Sequence, residues 1–207
     1  AITSRQNQRP DAQALINAGN TAVPVPAQRW GNVNTEATRF LLNAEVPASD
    51  NATVYLFGNY AWSAGNTEFF YRNPVTRSDI FRSVPLTTTP GGARFSFTSQ
   101  FPGGFTPIFG TDIEDLSIAG GLRGDFGNLR YDLAAIVAQN RVRYELSNTV
   151  NPSLGPQSPT SFNAGKVTQR ETQFHADFVY PFEIGLADPL NVAFGAEYRR
   201  ISTWKAT

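Results

Sequence analysis

Apolar and polar residues alternate with a period of two along most of this chain, and the alternating runs come in pairs separated by turn residues. Residues 38–46 set Phe40, Leu42, Ala44 and Val46 on one side, with Arg39, Leu41, Asn43 and Glu45 on the other. Beyond a turn at 47–51, residues 53–72 carry Val54, Leu56, Gly58, Tyr60 and Trp62 against Tyr55, Phe57, Asn59, Ala61 and Ser63. Residues 113–123 and 129–147 make a second pair, in which Leu116, Ile118 and Leu122 lead into Leu129, Leu133 and Val137 through a turn at 124–128. The third pair is 167–182 and 190–204, and its last strand sets Val192, Phe194, Ala196 and Tyr198 against Asn191, Glu197 and Arg199. Such alternation belongs to pleated strands with one apolar face. Helical period is confined to residues 11–18, which the adjoining Pro10 limits to a turn. The pattern predicts an all-β chain of six antiparallel strands in three hairpins.

Lengths make that prediction more specific. The runs 53–72 and 129–147 far exceed the ~3–10 residues of strands in globular proteins. Connections inside the pairs are short. Those between pairs, 73–111 and 148–165, pass the ~12–15 residues beyond which structureless loops are uncommon in compact domains. Long strands with short turns at one end and long loops at the other describe an antiparallel transmembrane β-barrel of the outer membrane. Aromatic placement agrees, because Tyr60, Trp62 and Tyr198 fall high on their strands and Tyr131, Tyr180 and Phe182 low. Those are two girdles at roughly the separation of a 25 Å apolar band. In this register Val192, Phe194, Ala196 and Tyr198 are expected against lipid, and Asn191, Glu197 and Arg199 toward the lumen. A soluble β-sandwich gives the same alternation but rarely needs strands of this length.

Composition narrows the chemistry. Charged residues are 16% of the chain, against ~25% in a typical soluble domain, while aromatics reach 13% with 16 Phe. Lys+Arg and Asp+Glu balance at 17 each, so there is no electrostatic footprint for nucleic acid. Cys and Met are absent and His occurs once, which removes thiolate zinc sites and thiol nucleophiles. His175, with Asp177 on the same strand face, is the one acid–base pair to weigh. On a polar barrel wall both read as solvated residues, and no phosphate loop, nucleophile elbow or metal-spaced cluster accompanies them. No enzymatic activity and no cofactor are expected. The longest apolar run, 133–138, falls far short of the ~20 residues of a membrane helix, and no signal-peptide pattern opens the chain.

Residues 148–162 read Asn-Thr-Val-Asn-Pro-Ser-Leu-Gly-Pro-Gln-Ser-Pro-Thr-Ser-Phe, and earlier come Phe101-Pro102-Gly103-Gly104-Phe105-Thr106-Pro107 and Asp112-Ile113-Glu114-Asp115. With Trp30-Gly31, Phe69-Phe70-Tyr71-Arg72, Tyr131-Asp132-Leu133 and Phe194-Gly195-Ala196-Glu197-Tyr198-Arg199, they form an ordered series that resembles the TonB-dependent outer-membrane receptors. The resemblance implies a barrel of about 22 strands around a plug domain. It also implies energised uptake of a scarce nutrient such as siderophore-bound iron, cobalamin or an oligosaccharide. Implied partners are outer-membrane lipid and lipopolysaccharide, the remaining strands and plug of the receptor, and the TonB complex reached through the plug. At the strand density seen here such a barrel needs a far longer chain. Residues 38–207 are therefore expected to be a fragment of the barrel domain, with the plug absent and residues 1–37 an extracellular loop or preceding strand end.

Substrate contact is expected at the long-loop end. Residues 73–111 hold Arg77, Arg82 and Arg94 among Phe81, Phe95, Phe97, Phe101 and Phe105, with Arg72 at the entrance to the loop. Guanidinium groups grip carboxylates and phosphates, and aromatic rings stack on planar or sugar-like surfaces. Arg141 and Arg143, at the outer end of their strand, complete the candidates. The bland alternative packs all of them against neighbouring loops and lipopolysaccharide. Two other functions stay open, a passive porin-type barrel and a soluble β-rich adhesin or carbohydrate-binding module.

Overall fold

The computed structural model describes residues 9–29, 31 and 33–206. Trp30 of the Trp30-Gly31 pair and residues 1–8 of the expected N-terminal segment lie outside them. In chain order the elements are α1 (Pro10–Asn17), β1 (Asn34–Ser49), β2 (Ala52–Glu68), α2 (Ser78–Phe81), β3 (Val84–Pro85), β4 (Arg94–Phe95), β5 (Ile108–Phe126), β6 (Leu129–Ser147), β7 (Phe162–Phe182) and β8 (Leu190–Ala206), with 3-10 turns at Phe97–Ser99 and Pro152–Gln157. Among the described residues the long strands form one six-stranded sheet in the order β1-β2-β5-β6-β7-β8, and β3 and β4 pair separately. Every pairing is antiparallel, and the register is unbroken except for bulges at Pro47/Ser49 and Tyr144/Glu145. The fold is all-β. The sheet stays open, with β1 and β8 as its edges.

Several elements differ from their sequence patterns. The run 113–123 lengthens to β5 at 108–126, 167–182 begins at Phe162, and 38–46 extends to 34–49. Residues 53–72 stop being strand at Glu68, and Arg72 keeps only an isolated bridge in which its N–H reaches the Phe105 carbonyl at 2.7 Å. Of residues 11–18, expected as a turn, all but the C-cap Ala18 belong to helix α1. Pro10 occupies the first helical position, where no N–H is needed and its fixed φ suits the helix. The connection expected as structureless loop 73–111 is folded, carrying α2, β3, β4 and a 3-10 turn.

Register carries the apolar residues of all six strands to one face. One cross-strand row runs Val46, Val54, Leu122, Leu133, Ala176, Ala196, and the next runs Ala44, Leu56, Gly120, Ala135, Phe174, Tyr198. Apolar side chains cover this face from Val54 to Trp62 on β2, Leu116 to Phe126 on β5, Leu129 to Val137 on β6, Phe174 to Phe182 on β7 and Leu190 to Tyr198 on β8. The band crosses the rows obliquely: its upper edge descends from Trp62 on β2 to Tyr198 on β8, three rows lower in the pairing. Stacked cross-strand pairs Phe40–Tyr60, Phe174–Tyr198 and Phe178–Phe194 tie it together. Among the described residues nothing covers it, since Phe40 is 65% exposed, Phe194 55% and Tyr198 58%.

The buried apolar side chains lie elsewhere. Among the described residues they are Ala12, Val23, Ala27, Tyr71, Phe81, Phe97 and Phe105, none on a long strand. They form two small cores in a cap at the end of the sheet opposite the short turns. The first joins α1 and the segment after it to Tyr71; the second joins Phe81, Phe97 and Phe105 to Ile80, Phe95, Phe101 and Val150. Gly103 and Gly104 let these segments meet. A Cβ at Gly103 would stand 2.1 Å from the Ala22 carbonyl oxygen, and one at Gly104, where φ is +73°, 2.3 Å from that of Arg72.

Candidate functional site

The cap holds most of the residues that the sequence nominates. Its frame is polar: the Gln28 side-chain oxygen accepts from the Tyr71 N–H and from Arg9, both at 3.1 Å, and the Tyr71 hydroxyl donates to the Gly103 carbonyl. The Thr106 hydroxyl donates to the Ala27 carbonyl, and Asn148 donates to that of Thr106 at 2.8 Å, tying in the loop before β7. Burial pushes the Tyr71 hydroxyl pKa up to about 12.

The nominated side chains divide. Phe97 is 3% exposed and is a core residue, with Phe95 edge-on against it at 4.9 Å between centroids. The aromatic residues of this loop, read from sequence as stacking surface, chiefly pack on one another. Arg94 is bound to Ser83, donating to its hydroxyl at 3.1 Å and its carbonyl at 2.8 Å. Arg77 grips both oxygens of Asp79 at 2.9 and 2.7 Å, which holds that carboxyl below its ordinary range and raises the Arg77 pKa. Burial, with Arg77 nearby, lowers that of Arg72. Arg82 is exposed and has no ion pair among the described residues. With Asp79, Phe95, Phe97, Pro152 and Ser153 among others it lines a cleft of about 170 Å³. Arg141 and Arg143 do not join this group. They stand on the apolar-band face of β6 above the band, Arg141 paired with Glu114 at 2.8 Å and Arg143 opposite Asp112 and Lys166 in the register.

A second constellation, missed from sequence, lies on the polar face near the short turns. Tyr55 on β2 lies across Gly121 on β5 and donates to Asp132 on β6 at 2.7 Å. A Cβ at Gly121 would fall 2.4 Å from the ring, so the glycine makes room for it. Arg123 stacks over Tyr55 at 5.6 Å from the centroid and pairs with Glu45 at 2.8 Å. Asp177 stands directly across from Asp132, and a recess of about 390 Å³ here is lined by Arg123, Asp125, Arg130, Asp132 and Asp177 among others. The local signal was present, an aromatic residue facing a glycine across a pairing, but it needs the register to be seen. His175 faces the same side, opposite Glu197.

Among the described residues no group of three or more His, Asp or Glu is placed to hold a metal ion, and no helix is long and apolar enough to cross a membrane. No protein-family model matches the chain, and no curated protein matches it.

Proposed function

We propose that this chain is part of the wall of an outer-membrane β-barrel that takes up a scarce nutrient, with energy delivered through the TonB protein. The observation that carries the membrane reading is the uncovered apolar band. Its height on β2, β5, β6, β7 and β8 matches the roughly 9–11 residues a tilted strand needs to cross a bilayer. Its oblique course across the register fits strands inclined about 35–45° to a barrel axis, because a level membrane then cuts successive strands at different residues. The polar face suits a wet interior, and the fragment reading accounts for edges that await further strands.

Gated uptake rests on the resemblance and on the cap. Long loops folded over one end favour a protein that meets its substrate outside, and the Arg82 cleft offers an unpaired guanidinium with the Phe95 ring and the Asp79 carboxylate in its lining, groups suited to a polar or sugar-like nutrient. The test uses the full-length protein in cells. Expected are recovery in the outer-membrane fraction, heat-modifiable migration in detergent gels, and substrate uptake that a protonophore abolishes. Uptake insensitive to the protonophore indicates a passive porin. Recovery as a soluble monomer indicates the adhesin reading and overturns the proposal.

A further inference from the structure

Just above the apolar band on β7 and β8, the outward face turns basic. Lys166 and Arg170 on β7 and Arg200 on β8 share the face of Phe174 and Tyr198, and neither strand has an acidic residue there. Elsewhere on the sheet Arg123, Arg130, Arg141 and Arg199 each have a carboxylate partner, while Arg143, directly opposite Lys166 on this same face, has no ion pair among the described residues and extends the basic strip onto β6. Arg170 is held in place without neutralisation, donating to Gln139 at 2.8 Å and lying 5.4 Å over the Trp204 ring. Arg170 pairs with Ser202, so Arg200 is its diagonal neighbour, at roughly 7–8 Å between backbones. Two like charges so close, directly over an apolar surface, call for an anion.

We infer that this strip binds the phosphate groups of an anionic lipid whose acyl chains lie on the band beneath. The inference rests on the membrane reading. Charge complementarity and position select the occupant: a soluble anion needs no apolar surface, whereas a lipid carries its phosphates at the boundary where acyl chains end. A phosphorylated glycolipid of the outer leaflet fits best, because Thr168, Thr172 and Ser202 on the same face supply hydroxyls among the cations for sugar and phosphate oxygens.

The test has two stages, both on the full-length protein. Insertion into phosphatidylcholine vesicles is measured first, and failure there overturns the membrane reading and this inference with it. The inserted protein is then extracted from mixed micelles of phosphatidylcholine and a bisphosphorylated glycolipid, and the lipid retained is counted by native mass spectrometry. Wild type is expected to enrich the glycolipid, and Lys166→Gln, Arg170→Gln and Arg200→Gln to lower that enrichment about fivefold for each cation removed. Arg170→Lys with Arg200→Lys should retain most of it, which separates charge loss from misfolding. Lys205→Gln, the same charge change on the opposite face, should leave it unaltered. Equal retention by wild type and the triple Gln variant, with insertion intact, overturns the inference and leaves the membrane reading standing.

Discussion

At the scale of single residues, the two faces of the sheet impose opposite demands, and substitutions separate them. Phe194 sits mid-band on β8 against Phe178, 5.3 Å between centroids, while its neighbour Ala193 points to the polar side, paired with Val179. If the proposed membrane reading holds, Phe194→Arg is expected to cost ~2–4 kcal/mol, the range for a charge near a bilayer midplane, whereas Ala193→Arg should cost far less. Urea unfolding of the full-length protein in vesicles measures both, and equal costs would refute the assignment of faces. The Tyr55–Gly121–Asp132 arrangement makes a different demand, for space. Gly121→Ala drives a methyl into the tyrosine ring and parts the hydroxyl from Asp132, for an expected loss of about 1–3 kcal/mol. In a Tyr55→Ala background, where the ring is gone, the same change should cost almost nothing. A double-mutant cycle reads the coupling.

At the scale of elements, the strands were legible because a period of two survives wherever one face is apolar and the other polar. It fails where the faces exchange character. Above the band Glu114, Arg141, Asp112 and Arg143 occupy the apolar side, while Ile113, Val142, Phe109 and Tyr144 stand on the other, with Phe109 and Tyr144 stacked. The pattern there reads as irregular, which is why β5 and β7 begin earlier than the sequence indicated. The cap was illegible for another reason. Its contacts join residues far apart in the chain, such as Gln28 with Tyr71 and Ala27 with Thr106, and no local window contains both members. Rings that form a core therefore looked like a ligand surface, and of the nominated residues in the cap Arg82 alone is exposed with no side-chain hydrogen bond or ion pair among the described residues. Tyr71 makes the folded cap testable. Its pKa of about 12 lies above the ordinary 10.0, so folding favours the neutral phenol. That contribution is complete below pH 10 and is lost as pH rises through about 12. Proteolysis of residues 69–107 should accelerate over that interval in wild type. Tyr71→Phe, which lacks the titrating group, should remove the Tyr71-linked part of the rise. An identical alkaline profile for the two proteins would exclude Tyr71 as its source.

At the scale of the whole molecule, hydrophobic burial is distributed the wrong way round for a protein in water. The small cores lie in the cap, and the largest regular surface, an apolar band across six strands, is bare. Monomers in water rarely expose contiguous apolar patches beyond a few hundred Å², and long open edges such as β1 and β8 invite pairing with other chains. Lipid and further strands answer both problems together, since closing the sheet satisfies the edge N–H and C=O groups while acyl chains cover the band. It follows that these 207 residues, produced alone in detergent-free buffer, should have no stable monomeric state. Sedimentation is expected to show large species, and thermal unfolding followed by circular dichroism to lack a cooperative transition. The cap should not rescue the sheet, because its cores pack cap segments against one another and leave the band uncovered. A monomeric mass with a sharp transition would mean that the band is compatible with water, and the membrane reading would fall with it.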